Sequence, residues 1–137
     1  LDGIEIEHID GASEHFDGLA NTLWEARKRK GMTKAAARAF VHEPIGYGVA
    51  MVRAGLADGL IGGLGRPYQE TLRPALTGLG TAPDAKLASG TYALIFQSRR
   101  LFLADCTVNV HPDAEALAEI ALNTARISET FGDVPRG

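Results

Sequence analysis

The chain has a single cysteine, Cys106, so it can build no internal disulfide framework, and that thiol content suits a reducing cytosol. It has no apolar run near the ~20 residues that a bilayer-spanning helix needs, so no membrane partner is expected. It also lacks strong net charge. Its 14 Lys+Arg and 17 Asp+Glu leave −3, so no global field favours nucleic acid or an anionic membrane. The histidines, His8, His15, His42 and His111, show no His-x-x-x-His spacing. With one thiol and scattered acids, they give no expected metal site. No pair of acids has a spacing that marks acid/base work, and no repeat or low-complexity tract interrupts the chain. The first residues alternate charge with apolar side chains and form no h-region. No signal peptide is therefore expected, and the expected location is cytoplasmic.

What is present is ordinary globular material. A hydrophobic fraction of 45% and a charged fraction of 23%, over 137 residues, suffice for one domain with a core. Sixteen glycines are many for this length, and most stand singly at element ends. The chain begins inside the strand-like IEIEHI and stops at FGDVPRG, just after a helical pattern. Residues 1–137 are therefore expected to be a single fragment of something longer.

Periodicity gives the elements. Ile4, Ile6 and Ile9 suggest a short strand. Ser13 suits the N-cap of a helix from Glu14 to about Lys30, with Phe16, Leu19, Ala20, Leu23 and Ala26 on one face. The run RKRK, Arg27 to Lys30, then meets Gly31. Cations there complement the helix dipole and glycine supplies a left-handed exit, a simpler reading than a phosphate patch. Thr33 caps a second helix that Pro44 ends. A third, IGYGVAMVRA, carries Gly46, Gly48 and Ala50. The glycines are poor helix formers, and small residues on a helix serve close backbone approach, so this helix should be buried. Leu60 and Ile61 read as a short buried strand before Gly62, Gly63 and Gly65. Pro67 suits the first turn of a fourth helix, which Pro74 should kink or shorten. TYALIFQ and LFLA, separated by SRR, read as a hairpin with a basic tip. A last helix runs from about Pro112 to Phe131, with Asp113 and Glu115 at its positive end.

Two stretches hold residue types suited to chemistry. In the first, Gly63, Gly65 and Arg66 precede a helix N-terminus, where free N–H groups and a guanidinium suit an anion. Tyr68 stands where a dinucleotide motif would have its third glycine, and no Lys-Ser/Thr pair follows for a P-loop. Spacing alone fits a tight turn as well as an anion site. In the second, Asp105, Cys106, Thr107 and Asn109 leave a strand end, and His111 opens a helix. A Cys106 nucleophile with His111 as base has no orienting partner in the sequence, and a buried small apolar thiol is the simpler reading. Asp105 and Asn109 are expected to hold the loop backbone by hydrogen bonds.

Two blocks together resemble a known family. They are RKGMTKAAARAF with MVRAGLADGLIGGLGRPYQETLRPAL and GTAP, and LFLADCTVNVHPDAEALAEIALNTARISETFG. The sequence resembles the phosphate acetyl/butyryl transferases across nearly its whole length. The wording ADCTVNVHPDAEALAEIAL is most similar to the variant at the C-terminal end of bacterial NADP-dependent malic enzymes. Free-standing transferases more often have Asn-Pro in place of Val110-His111.

The resemblance implies an α/β fold like isocitrate and isopropylmalate dehydrogenases, two domains flanking a cleft, with a mixed sheet, a β-hairpin and flanking helices. This chain would be mainly the central inserted domain. The family's catalytic serine, arginine and aspartate lie downstream of Gly137, so no catalytic residue is carried over. Gly65 stands where some transferases have cysteine. The leading function implied is an acyl-CoA-binding regulatory and oligomerising module of a malic enzyme, with acetyl-CoA as effector. NADP and a divalent metal, Mg or Mn, would bind elsewhere on the parent. The alternatives are a fragment of a phosphate acetyltransferase, with acetyl-CoA as substrate, and a purely structural dimerisation domain. The expected partners are acetyl-CoA, further copies of the chain and the flanking domains of the parent. The ligand contacts implied are Gly63, Gly65, Arg66, Tyr68, Arg73 and Asn109, lining an open recess.

Overall fold

The computed structural model describes residue 9 and residues 13–134. The strand expected at Ile4 and Ile6 lies outside them. The chain forms two compact units, one ending at Gly80 and the other beginning at Thr81. Among the described residues, no helix is long and apolar enough to cross a membrane.

The first unit is helical, with α1 at Phe16–Arg27, α2 at Lys34–His42, α3 at Pro44–Ala54 and α4 at Tyr68–Gly78. The i, i+3, i+4 stripe of α1 is its buried face: Phe16, Leu19, Ala20 and Leu23 pack with Ala37 and Val41 of α2 and Tyr47 and Ala50 of α3. The run RKRK does what the dipole argument expects. Residues Lys28–Lys30 tighten into one 3-10 turn, and Gly31 leaves it at φ 88°. Lys28 pairs with Glu25, and the ammonium groups of Lys28 and Lys34 lie 5.1 and 4.5 Å from the centre of the Trp24 ring. Thr33 caps α2 through a 3.1 Å bond from the Ala36 N–H. Glu43 is extended, and Pro44 then opens α3.

Three expectations fail here. Ser13 is not the cap of α1, which starts later with His15 at the N-cap position. The Ser13 hydroxyl accepts from the His15 N–H at 3.3 Å, in the turn before the helix, and is also hydrogen-bonded to the Tyr47 hydroxyl of α3 at 2.8 Å. Pro67 stands one residue before α4 and not inside its first turn. Pro74 does not cut α4 short, and the helix continues to Gly78. Beyond Pro74, two arginines hold the helix end. Arg27 donates to the Leu76 carbonyl and Arg53 to the Gly78 carbonyl, both at 2.7 Å. Cations on these terminal carbonyls oppose the negative end of the dipole.

The glycines of α3 act as the sequence suggests. A Cβ at Gly46 would stand 1.9 Å from the Phe40 carbonyl oxygen, and one at Gly48 would stand 2.6 Å from Leu60 Cδ1. Gly78 meets α3 in the same way, with Val49 Cγ1 at 2.1 Å from its would-be Cβ.

The second unit contains β1 at Tyr92–Ile95, β2 at Arg100–Leu103 and α5 at Ala114–Thr130. The strands pair antiparallel, Tyr92 opposite Leu103 and Ile95 opposite Arg100. The Phe96 N–H donates to the Arg99 carbonyl at 2.9 Å and closes the turn. β1 is shorter than the run TYALIFQ, and β2 is as long as LFLA but begins one residue earlier, at Arg100. Asp113 caps α5 by accepting from the Ala116 N–H at 2.8 Å. The Phe131 ring at the far end of α5 lies 5.5 Å from that of Phe102, and Arg100 pairs with Asp133 at 2.8 Å.

A test of the close packing compares two glycines. Gly46→Ala should lower stability by about 3 kcal/mol, because the opposing group is backbone and cannot swing aside. Gly31→Ala meets open space and should cost only about 1–2 kcal/mol, from its left-handed backbone. Urea unfolding of both variants checks the order, and equal losses would contradict it.

Candidate functional site

The glycine turn is built on α3. Leu60 lies over Gly48, and a Cβ at Gly62 would stand 2.9 Å from Ile45 Cδ1, so the segment entering the turn follows the first half of that helix. It is not the buried strand expected. Among the described residues, Leu60 and Ile61 have no ladder partner, and Ile61 is 102% exposed.

The turn itself needs glycine. Gly63 has φ 100° and Gly65 φ 77°. The Arg66 N–H donates to the Gly63 carbonyl at 3.1 Å, and α4 begins two residues later. Gly63 faces Thr71 of α4, whose Oγ1 would lie 3.2 Å from a Cβ there. That oxygen is buried and has no hydrogen-bond partner among the described residues. Gly65 faces open space. Arg66 is about half exposed and lies 4.0 Å from Glu70, a contact too long and too wet to neutralise it. Tyr68 and Arg73 are exposed further along α4. The structure therefore brings Gly63, Gly65, Arg66 and Tyr68 together at one helix start, with Arg73 beyond them. Leu64 at the tip is 103% exposed. Sequence reasoning missed that Ile61 and Leu64 both stand in solvent beside the turn. Their setting between glycines was the available signal. The site is an open surface of the first unit, and neither of the two described grooves is lined by its residues.

Asn109 belongs to the second unit, and its surroundings explain it. Asp105 accepts from the N–H groups of Thr107, Val108 and Asn109, each at 3.0 Å, and from the Asn109 amide at 2.6 Å. The same amide nitrogen donates to the Ala88 carbonyl at 2.9 Å. Both donors of the Asn109 side chain are thus engaged inside the loop, as the turn chemistry of Asp and Asn predicts. Partial burial opposes the Asp105 charge. The N–H groups of Thr107 and Val108, then the Asn109 side chain and N–H, overcome it and hold the carboxyl at about 2, below its ordinary 3.8. Cys106 is exposed, not the buried thiol of the simpler reading. Among the described residues, no three His, Cys, Asp or Glu side chains converge as a metal site would require.

The sequence profile of the phosphate acetyl/butaryl transferase family matches residues 1–136. The chain belongs to that family. It is 41% identical over 135 residues to a phosphate acetyltransferase of Acetivibrio thermocellus, covering 94% of this chain and 40% of that protein. It is also 41% identical to a phosphate acetyltransferase of Synechocystis sp., covering 97% of this chain and 21% of the relative. The solved EutD phosphotransacetylase from Staphylococcus aureus superposes with a TM-score of 0.82 at 31% identity, over 96% of this chain and 39% of that one. The chain thus spans two fifths or less of each of these family members.

The Asp105 bonds set a pH test. A carboxyl held below its ordinary value contributes stability above about pH 4 and loses it as pH falls through about 2. Wild type should exceed Asp105→Asn by about 1–2 kcal/mol at neutral pH, allowing for screening of a part-exposed group. Unfolding measured across the acid range should show the two converging near pH 2. A gap that persists there would contradict the assignment.

Proposed function

We propose that this chain is the part of a phosphate acetyltransferase that offers an anion-contacting turn to coenzyme A and phosphate. In that reaction a phosphate oxygen attacks the thioester carbonyl carbon, the carbon–sulfur bond breaks, and coenzyme A leaves as the thiolate. The names of the relatives support this reading over the malic-enzyme module, so acetyl-CoA is proposed as substrate and not as effector. NADP and a divalent metal have no part in it. The parent would adopt the two-domain, isocitrate-dehydrogenase-like architecture, with the turn on one wall of the cleft and the reacting groups supplied by the remainder of the polypeptide.

The observation that carries the proposal is the exposed start of α4. Gly63 and Gly65 remove side chains between backbone and ligand, and both hold conformations that other residues resist. Arg66 adds a charge that no near neighbour neutralises. Ile61 and Leu64 flank it with exposed apolar side chains. A charged group beside an apolar surface matches coenzyme A, which joins phosphates to a long pantetheine arm. Tyr68 and Arg73 extend the surface along α4. Asn109 is left out, because its amide hydrogens serve the Asp105 loop.

The test is kinetic and uses the full-length protein. Arg66→Ala should raise KM for coenzyme A or phosphate about five- to tenfold and change kcat little, as loss of a half-exposed ionic contact predicts. Unchanged KM for both would remove the turn from the site.

A further inference from the structure

Between Glu25 and Glu43 the chain carries six cations and no acid, although its net charge is −3. The six are Arg27, Lys28, Arg29, Lys30, Lys34 and Arg38. Three of the chain's four lysines lie there, and Lys86 is the fourth. The structure separates the four by what each ammonium touches. Lys28 pairs with Glu25 and lies over the Trp24 ring, and Lys34 lies over the same ring. Lys86 pairs with Glu115, whose hydrogen bond and charge hold the ammonium protonated above its ordinary 10.5. Among the described residues, Lys30 has no such partner. It is exposed on the 3-10 turn Lys28–Lys30, beside Arg29, which is exposed and unpaired as well. Gly31 follows, and a Cβ there would meet nothing within 4 Å, so the turn is open to approach.

We propose that Lys30 is a modification site that takes the acetyl group of an acyl phosphate, with Arg29 holding the phosphate end. A neutral amine is the nucleophile, so an ammonium held by a carboxylate or an aromatic face must first leave that partner. Lys30 has nothing to leave. The surrounding cations gather an anionic donor, and a guanidinium suits its phosphate oxygens. In the step, Lys30 gives one proton to water and its nitrogen lone pair attacks the carbonyl carbon. The carbon–oxygen bond to phosphate breaks. Inorganic phosphate leaves with that electron pair and takes the second nitrogen proton, and a neutral amide remains. One charge is lost from the cationic segment, so a modified chain attracts the next donor less. The site rests on the function proposed above only for its donor, since attack of phosphate on the thioester forms acetyl phosphate.

The test adds acetyl phosphate to the full-length protein without coenzyme A. Cleavage after glutamate then leaves the three lysines of the basic segment on one peptide, and mass spectrometry reads each acetylation rate. Lys30 should react about tenfold faster than Lys86, and faster than Lys28 and Lys34. Arg29→Gln should slow Lys30 several-fold and leave Lys86 unchanged. Equal rates at the four lysines would overturn the proposal, as would a Lys30 rate that Arg29→Gln does not move. Formation of acetyl phosphate from acetyl-CoA is assayed separately on the same protein. Because the reagent is added, a failure of that assay removes the function proposed above and leaves the lysine rates to decide the site.

Discussion

Close packing onto bare glycine backbone along α3 is the constraint on which the first unit depends. Four glycines allow it, one against a carbonyl and three against side chains. Gly46 admits the Phe40 carbonyl at the end of α2, Gly48 admits Leu60, Gly62 admits Ile45, and Gly78 admits Val49. Two of these glycines lie on α3 and two on the segments that pack on it. α3 is therefore both a buried helix and a template. The segment entering the glycine turn is seated by Gly48 and Gly62, and the far end of α4 is seated by Gly78 and held by Arg27 and Arg53. The turn between them is fixed from both sides, though its own residues are exposed.

Much of this was legible in the sequence. The helix periods found α1, α3 and α5, and the capping residues Thr33 and Asp113 do what their types predict. The glycines of α3 gave away its burial, because helix propensity disfavours them unless contact requires them. What failed were element boundaries and neighbours. Ser13 uses its cap chemistry in the turn before α1, on the His15 N–H, and also bonds Tyr47 from 34 positions away. Leu60 and Ile61 looked like a core strand by composition, yet a strand needs a neighbour and the described residues provide none. Pro74 was expected to kink or shorten α4, yet the helix runs on to Gly78, and two guanidinium groups beyond the proline bond its last carbonyls.

The two stretches singled out for chemistry prove to be opposites. In the Asp105 loop three N–H groups and one amide converge on a single carboxylate. Such a closed network specifies a loop conformation and has little left to offer a ligand. At the glycine turn the balance is reversed. Among the described residues, Arg66 meets Glu70 only at 4.0 Å, Thr71 Oγ1 lacks a partner, and Ile61 and Leu64 stand exposed. The sequence already favoured the glycine turn, although both stretches place polar residues before a helix. The hydrogen-bond accounting widens that difference.

The central claim is that the seat on α3 sets the turn that contacts coenzyme A. The most direct measurement is a double-mutant cycle at Gly48 and Leu60, read as KM for coenzyme A in the full-length protein. Gly48→Ala pushes Leu60 away and should raise KM. Adding Leu60→Ala makes room for the new methyl group and should bring KM back toward wild type. A Gly48→Ala variant with unchanged KM, or two substitutions whose effects simply add, would contradict the account.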